Sequence, residues 1–404
     1  MEPITPKLRQ PIEMHPSSQG GIPGIMLRDP LALTDLTLFI PQSLAALLTL
    51  CDGTRDVPTL RTALMLRTGV LVGDNAVQEL LQHLDQALML ENDRYATAQG
   101  RVRDEFRAAP CRPATTMGGS YPNTPEALAA LLESHLSSAK AEKVSSHIRG
   151  VVCPHIDFPR GFPVYAGVWK SAREAVKQAD LAIILGTDHH SLKPGITLTR
   201  QSYATPFGLL PTAQDVVYEV TQTVGDEVFA EELHHRGEHS VEAAAIWLHH
   251  LLGDSHCAVV PALCGSLLSF LDEGSDIGSD EKISRTVEAL AKAIGARRTL
   301  VVAAADLAHA GPAFGDPLPV DLAESARHTK KDEALMGAIC AGDAAGFFRQ
   351  VKDEGDRRNV CGLAPIYWAL RLLGPARGVV TGYEQCPADS QGKSMVSICG
   401  IVLT

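Results

Sequence analysis

Three short runs of metal-binding and acid–base side chains each follow an apolar segment. Val151-Val152-Cys153 leads into Pro154-His155-Ile156-Asp157, Ala182–Leu185 into Gly186-Thr187-Asp188-His189-His190, and Val301–Ala305 into Asp306-Leu307-Ala308-His309. A fourth run, Asn359-Val360-Cys361-Gly362, stands before a segment with helical spacing. Two neutral imidazoles and one anionic ligand, with coordination positions left open, suit non-haem iron and also accept copper or zinc. The expected ligands are His155, His189 and Cys361. A thiolate in the third place softens such a site toward copper or zinc, and a cysteine at a helix N-terminus has its thiolate favoured by the helix dipole. His309, with Asp306 one bend away, is the candidate for proton transfer. Asp157, Asp188, His190, Glu238 and His239 are read as supporting residues around the ligands.

Each signal also has a plainer reading. A single histidine after a strand is ordinarily a hydrogen-bonded core or surface residue, and a single cysteine a buried thiol. Three strand-end clusters in one chain shift that balance toward a site. His234-His235 and His249-His250 read as loop and helix-surface residues, because adjacent side chains on a helix point apart. Glu238-His239-Ser240 also reads as the capping segment of the apolar helix after it.

To bring these runs together the chain needs an α/β sheet, in which ligand sites gather at the carboxyl ends of strands. Strands are expected at Gly150–Pro154, Leu181–Leu185, Ala258–Leu263, Thr299–Ala304, Gly378–Gly382 and Met395–Val402. Helices are expected at Pro125–Ser137, Val164–Val176, Asp215–Val224, Ser240–Leu252, Glu281–Ile294, Asp321–Cys340 and Leu363–Leu373. The alternation implies a central, largely buried sheet with helices on both faces. Ahead of it, residues 7–30 read as an extended Pro/Gly-rich arm. Pro41–Leu50, Val57–Arg67 and Asn75–Leu90 read as helices, the last striped by Leu80, Leu81, Leu84 and Leu88. Ala96–Pro125 lacks apolar period. The domains expected are a small, mainly helical one at 1–100, a linker at 101–120 and the α/β domain at 121–404.

Composition narrows the class. A length of 404 residues favours two domains. A net charge of -11 with no basic run argues against nucleic acid. Apolar stretches such as Ala243–Leu252 fall short of the ~18 residues a membrane span needs. The opening Met1-Glu2-Pro3-Ile4-Thr5-Pro6 lacks the basic-then-apolar pattern of a signal peptide, so a cytoplasmic protein is expected. The nine cysteines, with no C-x-x-C pair, read as reduced thiols.

Taken in order, the motifs resemble the Memo family, also named AmmeMemoRadiSam system protein B, which is similar in fold to class III (LigB-type) extradiol dioxygenases. The resemblance runs through Gly118-Gly119-Ser120-Tyr121-Pro122, Pro154-His155, Leu185–His190, Thr205-Pro206-Phe207-Gly208, Glu238-His239-Ser240-Val241-Glu242, Asp306–Gly311 and Cys361–Ile366. It implies metal ligands at His155, His189 and Cys361, and the dioxygenases' acid–base histidine at His309. Those dioxygenases use a glutamate as third ligand, so Cys361 is a departure. The family's His-Ala-Gly-Tyr is here His155-Ile156-Asp157-Phe158, and Met117 stands where the family has a histidine. Asp157 then adds a carboxylate that can orient a ligand imidazole or serve as a hard oxygen ligand favouring iron. The N-terminal part is similar to a PqqD-type winged-helix module, on Asp52–Val57 and Leu84–Glu91. Two functions follow from the resemblance: a mononuclear iron or copper oxidoreductase, dioxygenase-like, acting on a small molecule or modified peptide; or a non-catalytic metal- or peptide-binding partner of a radical-SAM enzyme. Metal-assisted hydrolysis is a third that the ligands permit.

Overall fold

The computed structural model describes residues 5–404 apart from Val70, Lys143, Ser145, Ser146 and 273–276. Residues 1–4, on which part of the signal-peptide reading rests, lie outside it. The chain divides into two compact units, Met1–Ala108 and Ala109–Thr404.

In the first unit, the stretch expected as an extended arm is a β-hairpin. β1 (Glu13–Gln19) pairs antiparallel with β2 (Ile22–Arg28), and β2 with β3 (Leu38–Pro41). Gly20 and Gly21, at φ +59° and +80°, form the two-residue turn that only glycine enters freely. Pro41 ends an edge strand rather than starting a helix, and α1 is confined to Ala46–Leu50. α2 (Val57–Thr68) starts at Asp56, whose side chain accepts from Thr59 N, and stops at left-handed Gly69. α3 (Asp74–Gln86) ends four residues earlier than its leucine stripe suggests, because Leu88 sits at φ +55° and Leu90 forms a β-bridge with Leu8. The first part of the aperiodic stretch Ala96–Pro125 is helical: α4 (Asp93–Ala108) has 16 residues, and its charged faces hide a short buried stripe of Val102 and Phe106.

The second unit is a mixed sheet between two helical layers. In chain order its elements are α5 (Pro125–Ser138), β4 (Gly150–Cys153), α6 (Phe158–Gln178), β5 (Leu181–Thr187), β6 (Ile196–Leu198), β7 (Tyr203–Thr205), β8 (Gly208–Leu210) and α7 (Gln214–Val224). There follow α8 (Ser240–Leu252), β9 (Ala258–Cys264), α9 (Glu281–Ile294), β10 (Thr299–Ala304), β11 (His309–Ala310), α10 (Leu322–Cys340), α11 (Ala344–Asp353), α12 (Leu363–Leu373), β12 (Gly378–Pro387) and β13 (Met395–Leu403). The sheet order is β11-β13-β4-β10-β5-β9-β6, with β12 also on β13. The middle four strands are parallel, and β6 and β13 flank them antiparallel. Every residue of β4, β5 and β13 is buried, which is why these strands read as continuous apolar runs. Alternate residues serve the two faces: Ile183 and Leu185 pack with α7, α9 and α12, while Ala182 and Ile184 pack with α5, α6 and α8.

Register decides what meets at the carboxyl edge. Ala304 of β10 pairs with Cys153 of β4 on one side and with Gly186 of β5 on the other. Two residues onward along each strand come Asp306, His155 and Asp188, so the three expected clusters leave the sheet at one level. α12 closes over this edge: Gly362 N donates to Asp306 O at 3.0 Å, and a Cβ on Gly362 would lie 2.3 Å from that oxygen and 2.8 Å from the Ala305 Cβ. Gly362→Ala should therefore force α12 away from β10 and destabilise the fold by about 1–3 kcal/mol, read as a lower urea midpoint. An unchanged midpoint would show that the approach is not tight.

Candidate metal centre

His155 follows β4 directly and is 2 % exposed. Its Nδ1 lies 2.9 Å from the carbonyl oxygen of Ala304, and since a carbonyl only accepts, Nδ1 carries a proton and Nε2 is the ring nitrogen left to face the site. That Nε2 stands 3.5 Å from Cys361 Sγ. His189 is built the same way, with Glu238 Oε2 accepting from Nδ1 at 2.9 Å. His155, His189 and Cys361 each bring one ligand atom to within 4.8 Å of the others. The expected ligands thus converge, from β4, β5 and the start of α12.

The neighbouring charges are arranged to keep this trio polar. Burial works against ionising Cys361, but His155 and His309 beside it, with hydrogen bonds from His155 and His189, bring its thiol down to about 5. Burial likewise disfavours a charged His155, yet Asp306 and Cys361 hold it up to about 9. Glu238 is buried, and although burial raises its pKa, the charge and hydrogen bond of His189 keep it well below the carboxylate range. Its other oxygen accepts from the backbone N–H groups of His239 (2.8 Å) and Ser240 (2.9 Å), tying the start of α8 to the His189 side chain. Ser240 Oγ donates to Thr187 O at 2.9 Å, an approach that requires the bare Cα of Gly186 opposite.

The remaining expected residues divide. Asp306 Oδ1 accepts from His155 N at 2.9 Å and Ile156 N at 3.3 Å, and Oδ2 lies 3.7 Å from His155 Nε2. It makes no hydrogen bond to His309 among the described residues; Asp306 and His309 meet only as a second ligand-type group that shares Cys361. His309 packs edge-on to Phe314 at 5.0 Å and, with Asp306, lines the pocket. The His239 ring stacks 5.1 Å from that of His189, and burial drives it down to about 4, so it stands there neutral. Asp157 does not orient either imidazole. Its carboxylate caps α6 through Arg160 N and pairs with the Arg160 guanidinium, because the chain turns into a helix one residue later. Asp188 supports His234 and not a ligand: its oxygens lie 2.9 and 2.8 Å from His234 Nδ1, and the His190 ring lies against the His234 ring.

His234 and His235, expected as loop residues, are buried at 4 % and 0 % exposure. They sit on a short 3-10 turn, Glu232–Arg236, and His235 bonds Tyr203 Oη at 2.6 Å and Thr197 O at 3.1 Å. Buried Arg112 was not anticipated at all; it pairs with buried Glu242 and donates to the His235 and Glu238 carbonyls, holding 112–115 against α8. No local pattern marks it, since its partners lie more than a hundred residues on. The pocket encloses about 760 Å³, with Met117, Arg160, His239, Phe314 and Val396 among its walls.

The model for Memo-like protein matches residues 112–402. A MEMO1 family protein of Aquifex aeolicus is 24 % identical over 383 residues, 93 % of this chain and 95 % of its own length. One from Thermus thermophilus is 26 % identical over 72 % of this chain and 82 % of its own, and one from Methanosarcina acetivorans 28 % over 58 % and 77 %.

Metal-free protein should react with iodoacetamide first at Cys361. The rate should hold from pH 8 to 6 and fall as pH drops through about 5, where the thiolate is lost. Cys51, Cys257 and Cys386, pushed up to about 11, 12 and 12 by burial, should stay unlabelled in that window. Peptide mapping that finds Cys361 no faster than these would contradict the electrostatic account.

Proposed function

The chain belongs to the Memo-like protein family, and we propose that its pocket binds one divalent transition metal through His155, His189 and Cys361 and works as a dioxygenase-like oxidoreductase. The observation that carries this reading is the convergence of two imidazoles, each with Nδ1 engaged by an acceptor and Nε2 left to face the site, on a thiol whose neighbours favour its thiolate. Such ligands fit iron, copper or zinc, and iron is the ion proposed. Bound there, the ion would supply Lewis acidity and, if iron or copper, one-electron chemistry with oxygen.

The chain's own residues supply the rest. Ala304 O and Glu238 hold the two imidazoles in one tautomer and orientation, which is what a ligand histidine needs from its neighbours. His309, on the pocket wall near Cys361, is placed to take or return a substrate proton. Phe314, Met117 and Val396 offer apolar surface for an aromatic or peptide side-chain substrate. In this reading the protein is of the AmmeMemoRadiSam type, and a relation to LigB-type dioxygenases would supply the reaction class.

A second reading is favoured by Cys361 standing where those dioxygenases carry a carboxylate, and by the first unit. There β1 and β3 are both outer strands of a three-stranded sheet, so a peptide can add to either edge. In that reading the protein is a PqqD-like, metal- or peptide-binding partner of a radical-SAM enzyme, without turnover of its own.

Anaerobic loading with ferrous iron, desalting and elemental analysis should return about one iron bound through the trio, and His189→Ala should lose it. Because the metal must displace the proton held on His155, apparent affinity should rise with pH up to about 9. Glu238→Gln should weaken binding by about 10–100-fold. No His189-dependent metal would sink the reading. Loaded protein that consumes no oxygen with catechols, while the full chain binds a short peptide, would favour the partner over the enzyme.

A further inference from the structure

A second group of ligand-type side chains lies beside the first and is not used by it. We propose that Asp188, Glu231 and His234 form a separate binding site for a divalent cation of the zinc or manganese type. Each offers one ligand atom within 4.8 Å of the other two. The donors are one imidazole nitrogen and two carboxylate oxygens, with no sulfur, a set that suits zinc or manganese rather than a soft ion. His234 Nδ1 stands 2.9 and 2.8 Å from the two Asp188 oxygens. Two atoms each about 2.1 Å from one ion and at a right angle to each other are about 3 Å apart, so this edge is already spaced for coordination.

Charge points the same way. Asp188 is 5 % exposed and His234 4 % exposed. Neither Asp188 nor Glu231 has a lysine or arginine partner among the described residues: Asp188 faces His234, and the Glu231 side chain takes one hydrogen bond, from Ser191 Oγ at 2.6 Å. Two carboxylates and one imidazole in a largely buried place leave negative charge that a cation would offset. The way in is a cavity of about 230 Å³ whose wall carries Ser191 and Glu231. Glu227 and Asp280 add further acids to that wall against Lys193, and none of its lining residues lines the larger pocket.

The position gives the ion a use. Asp188 Oδ1 also accepts the backbone N–H groups of His190 and Ser191, both at 3.0 Å, so a cation on Asp188 would brace the loop that carries His189.

The test is zinc content by mass spectrometry after loading the full chain under thiol reductant and desalting. The wild type should hold two equivalents. Glu231→Gln and His234→Gln should each hold one, with the remaining zinc showing a sulfur neighbour by X-ray absorption. His155→Ala/Cys361→Ser should also hold one, with nitrogen and oxygen neighbours only. Glu231 is half-exposed, so its variant keeps the test open if His234→Gln fails to fold. Zinc content that Glu231→Gln leaves unchanged overturns the proposal. So does a second equivalent lost with His309→Ala, which would place both ions in the larger pocket. An empty larger pocket leaves the Glu231-dependent equivalent in place, so the two sites fail separately.

Discussion

The candidate site depends first on strand register. β4, β10 and β5 run parallel with Cys153, Ala304 and Gly186 abreast, so His155, Asp306 and Asp188 leave the sheet at one level. A slip of one residue in any of the three would turn its cluster to the other face of the sheet. What fixes the register is burial on both faces: the apolar strand residues alternate between two packed layers, and neither tolerates exchange. The helices then add the parts the strands cannot supply, with α12 bringing Cys361 and the start of α8 bringing Glu238.

Electrostatics completes what register begins. Each imidazole spends Nδ1 on an acceptor that cannot itself donate, a carbonyl for His155 and a carboxylate for His189. That choice turns the two Nε2 atoms toward the thiol. The same low-dielectric setting that strengthens these contacts makes a missing partner costly, and so Asp306 and Glu238 are tied by backbone N–H groups as well as by histidines. Asp157 shows the converse. Its carboxylate is close by, but a helix starts at the next residue and Arg160 arrives one turn later, so the charge is consumed locally.

Much of this was legible in the sequence because the signals were local. An apolar run ending in His155, in Asp188-His189 or in Asp306 states both the strand and where its tail emerges. The strands at Leu181–Thr187 and Thr299–Ala304 and the helix at Ser240–Leu252 follow from their apolar runs in the same way. What was not legible depended on distant partners. Pro- and Gly-rich residues 7–30 pair as a hairpin because backbone groups, not side chains, make the ladder. His234 and His235 read as loop residues, since nothing near them announces Asp188, Tyr203 or Thr197. Arg112 fell in a stretch without period, and only the folded chain brings it to Glu242.

The antiparallel flank has a consequence for the order of events during synthesis. β4, which carries His155, lies between β10 and β13, and its register with β13 is Gly150 against Leu403. The strand that leads into His155 must therefore wait, unpaired on that edge, until Met395–Leu403 has been made. Contacts this far apart in sequence form late and slowly. A nascent chain would hold apolar β4 open over that interval, in which such an edge invites mispairing. The pocket therefore forms late, and no ion can be captured by the full ligand set before Cys361 has been made.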